Sequence, residues 1–263
     1  SENKRVYFAV SDDGEPERLM LVDPETRAET ALAANPNVDP VAYLYSSDER
    51  HLLAVAHFDG VPGYTFVDKT HPESLTYAGL INAFPQHAVA FNGISTDGRY
   101  ILFRTFSDVD PGAYYLFDRQ TGQAKFLLAL MDWIDPERMA QMQPVSFDAR
   151  DGTRLHGYLT LPPGANGPAP LILHPHGGPH GPRDMWGFNP EVQFLASRGY
   201  AVLQVNFRGS GGYGSAFERK GYRNWGTTMI DDMTDAVDWA IRQGHADKDR
   251  ICTYGASYGG YAA

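Results

Sequence analysis

The 263-residue chain carries 22 Lys and Arg against 32 Asp and Glu, a formal charge of −10, and 43% of its residues are hydrophobic. That length holds one large domain or two smaller ones with a real core. The acidic balance excludes nucleic acid or an anionic membrane surface as the main partner. No apolar run is long enough to span a bilayer, and SENKRVYFAV shows no signal-peptide apolar core. A soluble protein is expected, with cytoplasm and periplasm both open. Cys252 is the only cysteine, which excludes an internal disulfide and any cysteine-based metal cluster. It reads as a small buried hydrophobe in a strand.

Residues 1 to about 130 form a loose repeat. Leu19-Met20-Leu21-Val22-Asp23, Tyr64-Thr65-Phe66-Val67-Asp68 and Tyr115-Leu116-Phe117-Asp118 read as equivalent strand ends, each followed by a polar turn. A second marker, Ser47-Asp48-Glu49-Arg50 before His51-Leu52-Leu53-Ala54-Val55, returns as Thr96-Asp97-Gly98-Arg99 before Tyr100-Ile101-Leu102-Phe103. Short strands and polar turns at a period of about 40–50 residues predict β-propeller blades, each four-stranded. An irregular β-sandwich is the alternative. About three blades cannot close a ring, so the expectation is the C-terminal end of a larger propeller. Residues 131–142 form the join, with Asp135-Pro136 as the N-cap and first-turn pair of a short helix.

From Pro144 the texture changes. Val145-Ser146-Phe147 and Leu155-His156-Gly157-Tyr158-Leu159 predict two strands around an Asp151-Gly152 turn. Strands and helices then alternate, which implies a parallel sheet covered on both faces. Leu171-Ile172-Leu173 is a short buried strand ending in His176-Gly177-Gly178-Pro179. Asn189 caps a helix with Pro190 at its first position, and Gly199 ends it. Ala201 to Val205 is the next strand. Asp231 opens a helix whose apolar face is Met233, Ala236, Val237, Ala240 and Ile241, with Gly244 as its stop.

The chain ends on the segment that organises the rest, RICTYGASYGGYAA. A short strand, Ile251 to Tyr254, runs into Gly255-Ala256-Ser257-Tyr258-Gly259, which fits the G-x-S-x-G nucleophile elbow. A serine lifted out of a sheet on such a turn needs glycines on either side, because side chains there would strike neighbouring backbone. The Tyr258 amide is placed to donate to an oxyanion, and the Gly178 amide is the second candidate donor. His176 is expected to fix its loop by hydrogen bonding, since the base of this fold follows the nucleophile in the chain. The nine histidines show no metal-binding spacing, and no cofactor is implied. Arg208 predicts a structural ion pair, with Asp231 or Asp232 as partner, the alternative being an anchor for a substrate carboxylate. Arg183, Trp186 and Phe188 are expected to border the substrate cleft.

HPHGGPHG, FLASRGYAVLQVNFRGSGGYG, DDMTDAVDWAI and DKDRICTYGASYGGYAA resemble the first half of the catalytic domain of the prolyl oligopeptidase family of serine peptidases, nearest to its acylaminoacyl-peptidase branch. The likeness is close over residues 144–263 and looser before them. It implies residues 1–141 as a partial β-propeller and 142–263 as the first half of an α/β hydrolase, ending at the nucleophile elbow. It further implies Ser257 as the nucleophile, Tyr258 and Gly178 as oxyanion donors, and His176, Gly177, Gly255 and Gly259 as the supporting loops. Short peptides would be the substrates, admitted by the propeller and cleaved through an acyl-enzyme. The family's triad Asp and His have no counterpart within these residues. The expectation is therefore a fragment, inactive alone and completed by the remainder of the catalytic domain, in the same polypeptide or a second chain. A homo-oligomer is also possible. A carboxylesterase, or a non-catalytic propeller interaction protein, is the alternative reading.

Overall fold

A computed structural model describes residues 6–263 of the chain. Its first part is three antiparallel sheets. The first contains β1 (Val6–Val10), β2 (Arg18–Val22) and β3 (Glu29–Ala33). The second contains β4 (Pro40–Tyr45), β5 (Leu52–Asp59) and β6 (Val61–Phe66). The third contains β7 (Ala88–Ile94), β8 (Tyr100–Phe106), β9 (Ala113–Asp118) and β10 (Gln123–Ala129). Each sheet is a simple meander of chain neighbours, consistent with propeller blades. The apolar run of β5 is buried throughout Leu52 to Ala56, because this strand is covered on both faces. Leu52 and Val55 pack with Leu19 and Ala33, whereas Leu53 and Ala54 pack with Val89, Ile101 and Phe103.

The repeated turn marker is reproduced bond for bond. Ser46 Oγ donates to Asp48 at 2.6 Å and accepts the His51 amide at 3.0 Å. Ser95 Oγ donates to Asp97 at 2.6 Å and accepts the Tyr100 amide at 2.8 Å. Both turns need one left-handed residue, supplied by Glu49 (φ 59°) in the first and Gly98 (φ 69°) in the second.

Among the described residues the third sheet has the expected four strands and the other two have three. After β6 the chain forms a helix, α1 (Pro72–Asn82), and no fourth strand joins β4–β6 among the described residues. Pro72 presets the first helical turn, and His71 Nδ1 caps it by accepting the Glu73 amide at 3.2 Å. Tyr77 and Leu80 of α1 then cover the core of the second and third sheets. The Glu73 carboxylate accepts from the amide and hydroxyl of Ser47 at 2.7 and 2.6 Å, pinning the helix to the marker turn.

The Asp135-Pro136 pair opens a 3₁₀ turn at Pro136–Arg138, with Asp135 accepting the Glu137 amide at 3.1 Å. A five-stranded sheet follows, from β11 (Met142–Asp148), β12 (Arg154–Thr160), β13 (Ala169–Leu173), β14 (Ala201–Asn206) and β15 (Ala246–Thr253), in the order β11-β12-β14-β13-β15. β11 and β12 are the antiparallel hairpin read around Asp151-Gly152, with Gly152 at φ 81°. β12 is also antiparallel to β14, so the sheet is mixed; β13, β14 and β15 are parallel.

Helices α2 (Pro190–Ser197), α3 (Ser215–Arg219), α4 (Thr228–Arg242) and α5 (Tyr258–Ala262) complete the chain. α2 has the expected cap, Asn189 Oδ1 accepting the amides of Glu191 and Val192 at 3.0 and 3.2 Å. α4 begins at Thr228 and not at Asp231, because Met229 already belongs to its buried face. Met229, Met233, Ala236 and Ala240 pack on Leu171, Leu173, Leu203 and Val205. The alternation of a strand sends Val202, Gln204 and Asn206 to the opposite face of the sheet. α3 was unmarked in the sequence. No helix among the described residues is long and apolar enough to cross a membrane.

Gln193 of α2 joins this sheet to the preceding segment. Its Oε1 accepts the Ala140 amide at 2.9 Å, and its Nε2 donates to the carbonyls of Ala140 and Asp108 at 2.8 and 3.0 Å. Gln193→Leu orphans three backbone groups at a site 6% exposed. It is expected to lower stability by about 2–4 kcal/mol, read by urea denaturation, since each buried unpaired group costs about 1–3 kcal/mol.

Candidate active site

β15 ends at Thr253 and α5 starts at Tyr258, so the chain reverses from strand to helix in four residues. Ser257 stands at the corner with φ 58° and ψ −124°, a conformation that costs a non-glycine residue about 1–3 kcal/mol. Its side chain is exposed. The flanking glycines are required by contact. A Cβ on Gly255 would lie 2.6 Å from the Gly259 carbonyl carbon, and one on Gly259 would lie 2.2 Å from the Pro175 carbonyl oxygen. Gly259→Ala must therefore push the corner off the end of β13. Its expected effect is at least a tenfold loss of Ser257 reactivity toward a fluorophosphonate, since about 1 Å of misplacement can cost 10²-fold.

The loop after β13 brings Gly177 against this corner. A Cβ on Gly177 would sit 3.4 Å from Ser257 Cβ and 3.9 Å from its Oγ, ordinary contact distances that place this loop directly beside the hydroxyl. Gly178, next in the chain, is at φ 128°. No acceptor among the described residues takes the amides of Gly177, Gly178 or Tyr258.

His176 lies between its own loop and the one after β14. Its Nδ1 is 2.8 Å from the Gly177 carbonyl, its Nε2 is 2.9 Å from Ser210 Oγ, and its ring stacks on Phe207 at 4.4 Å. Both ring nitrogens are engaged away from Ser257. The Tyr258 hydroxyl donates to the Trp225 carbonyl at 2.7 Å, and Trp225 Nε1 donates to His180 Nε2 at 3.2 Å. Burial pushes the Tyr258 phenol up to about 12, so it remains a donor. Trp225 and Ser210 escaped the sequence reading because their partners are 33 or more residues away.

Arg208 is 6% exposed and Asp232 is fully buried. The guanidinium donates to both Asp232 oxygens, at 2.8 and 2.6 Å, and to Asp151 at 2.7 Å. Of the two expected partners, Asp232 is the one used. Asp231 instead pairs with Arg150 at 3.0 Å on the surface. Burial pushes the Asp232 carboxyl up, and the chelating guanidinium opposes that shift.

Between this sheet and the first part lies a cavity of about 740 Å³. Trp186 and Phe188 form one wall, with Tyr64, Phe91 and Phe106 opposite. Arg183 lines it too, with Nη1 donating to the Gly212 carbonyl at 3.0 Å and its guanidinium over the Tyr213 ring.

One expectation fails here. Cys252 is exposed, because among the described residues β15 pairs with β13 alone. The hydrophobes Tyr254 and Tyr261 around the corner are likewise 47% and 64% exposed.

Comparison with known proteins bears on the same region. Residues 186–263 match the model of the prolyl oligopeptidase family. A dipeptidyl aminopeptidase BIII from Pseudoxanthomonas mexicana is 42% identical over 160 residues, covering 58% of this chain and 23% of that protein. Dipeptidyl peptidase family member 6 of Caenorhabditis elegans is 30% identical over 98% of this chain and 38% of its own length. The chain belongs to the prolyl oligopeptidase family. It spans well under half the length of these relatives. Among solved structures, a Mycobacterium tuberculosis puromycin-hydrolyzing peptidase superposes with a TM-score of 0.70 at 22% identity, covering 98% of this chain and 40% of that one. This prolyl oligopeptidase relative shares the fold over both the small sheets and the five-stranded sheet.

Proposed function

We propose that the chain is the propeller end and the first half of the α/β-hydrolase domain of a serine peptidase, divided near residues 141 and 142, in which Ser257 attacks the carbonyl carbon of a short peptide. The observation that carries this reading is the corner itself: an exposed serine hydroxyl held at φ 58° with glycine backbone on both sides and Gly177 beside it. As Oγ bonds to carbon, its proton passes to a base and the carbonyl oxygen becomes anionic. The amides of Tyr258 and Gly178 receive that charge. The base then returns the proton to the leaving amine, and water hydrolyses the acyl-enzyme.

The base is a histidine outside these 263 residues, oriented by an acid also outside them, in the same polypeptide or a second chain. In support, His176, whose loop lies beside the corner, is committed to Gly177 and Ser210. The 263 residues alone are accordingly expected to be inactive. Short peptides would reach Ser257 past the propeller, and the aromatic cavity lined by Trp186 and Phe188 borders that route. The activities for which the relatives are named, dipeptidyl aminopeptidase and puromycin-hydrolyzing peptidase, favour a peptide or aminoacyl substrate. Fluorophosphonate labelling of the full-length protein tests the assignment. Labelling at Ser257 that is abolished by Ser257→Ala supports it, and wild type that resists labelling overturns it.

A further inference from the structure

The loop of residues 177–189 is fastened to β14 by two residues of one strand face. Asn206 Oδ1 accepts the Asp184 amide at 2.8 Å, and Asn206 Nδ2 donates to the Asp184 carbonyl at 3.0 Å. Two positions earlier on β14, Gln204 Nε2 donates to Asp184 Oδ1 at 2.7 Å. The second oxygens of these two side chains, Asp184 Oδ2 and Gln204 Oε1, are both shut off from solvent without a hydrogen-bond partner among the described residues. A carboxylate and an amide oxygen are both acceptors and cannot satisfy each other. Leaving both unpaired would cost about 1–3 kcal/mol each.

One proton resolves both. We propose that Asp184 is a neutral carboxylic acid in the folded protein, donating its Oδ2–H to Gln204 Oε1 while accepting from Gln204 Nε2, and that this closed acid–amide pair is the positioning device of the 177–189 loop. The loop holds Gly178 at one end and the cavity wall of Trp186 and Phe188 at the other. A two-bond pair fixes the direction of the Asp184 side chain as well as its distance, which a single bond would not.

The surroundings favour the neutral acid. Burial pushes the Asp184 carboxyl up, the largest influence on it. His176, the hydrogen bond from Gln204 Nε2 and His174, in that order, pull it back down, and neither histidine bonds it. His176 is taken by Gly177 and Ser210, and His174 Nε2 lies 3.2 Å from Glu191. Arg183 is turned to the Gly212 carbonyl and the Tyr213 ring. The phenols of Tyr158 and Tyr213 complete the set, and burial keeps both protonated.

The sign of the pH effect follows. A carboxyl raised above its unfolded value stabilises the fold fully below about pH 4, and that stability drains away as pH rises through the raised value. Asp184→Asn supplies the same donor permanently, so it is the deciding variant. In the full-length protein, infrared difference spectra at neutral pH should show a protonated-carboxyl C=O band that Asp184→Asn removes. The Tm of Asp184→Asn should match wild type at acid pH and exceed it increasingly as pH rises. Absence of the band, or a Tm for Asp184→Asn below wild type throughout, overturns the proposal. The positioning role rests on the proposed function and has its own arm. Asp184→Leu should lower kcat/KM on a peptide anilide by about 10–100-fold. Asp184→Asn should recover most of that loss and flatten the alkaline limb. If Asp184→Asn is as slow as Asp184→Leu while the band is present, the pair stands and the positioning role falls. If Ser257 takes no fluorophosphonate, the hydrolase reading fails and the band and Tm still decide the pair.

Discussion

Ser257→Ala in the full-length protein is expected to lower kcat on a peptide anilide by about 10⁵–10⁶-fold, with KM changed far less. The hydroxyl is the bond-forming group, so its loss removes the acyl-enzyme route and leaves only what the oxyanion amides and substrate binding give to attack by water. A variant retaining more than about one-hundredth of wild-type kcat would mean that another nucleophile does the work. Two companion variants separate chemistry from backbone. Ser257→Thr keeps a hydroxyl but puts a β-branched residue at φ 58°, where such residues are outliers, so it too should be severely impaired. Ser257→Gly should be inactive yet more stable than Ser257→Ala by about 1–2 kcal/mol, because glycine relieves the strain that alanine shares with serine. Equal stability of the two would show that the corner stores no strain.

The contrast between what was legible and what was not follows from the range of the interactions. The α2 start at Asn189-Pro190, the Asp135 cap and the hairpin turn at Gly152 are decided within four residues, and all three stand as read. The corner glycines were legible for the same reason, since Gly255 and Gly259 contact each other across one turn. α1 carried a local signal, Pro72 after a capping His71, that the blade repeat overrode. The α4 start was misplaced because Asp231 looks like a first-turn acid, while the helix is set by Met229 reaching the core. Cys252 reads as buried from its place in a strand, but its exposure depends on which strand lies beside β15. The Asp184–Gln204 contact spans 20 residues and the Gln193 clamp 53 or more, and neither side chain carries a motif that announces its partner. Among the site residues, the supporting side chains Ser210 and Trp225 were therefore the illegible part, and the glycines and serine they support were not.

Removing one side of the Arg208–Asp232 pair is expected to have the largest effect on stability. Asp232 is fully buried and chelated by the guanidinium, and its Oδ2 also accepts the Arg208 amide at 2.8 Å. Arg208→Met leaves that carboxylate buried with a single backbone donor, and Asp232→Asn leaves the guanidinium short of its counter-charge. Each should destabilise by about 3–5 kcal/mol in denaturant. The double variant Arg208→Met with Asp232→Leu should lose much less than the two single losses added, because it removes both charges together. Strict additivity would mean that the two side chains do not act as a pair. The consequence reaches the corner, since the loop held by Arg208 presents Ser210 and Phe207 to His176, and His176 holds Gly177. Fluorophosphonate reactivity of the single variants should therefore fall under conditions where both remain folded. Asp151 adds a pH signature. The Arg208 guanidinium holds its carboxyl well below the usual carboxylate range. A depressed carboxyl stabilises above its unfolded value, about 4, and that contribution is lost as pH falls below it. Wild type should show this acid loss of Tm, and Asp151→Asn should show less of it, with the two curves converging at low pH.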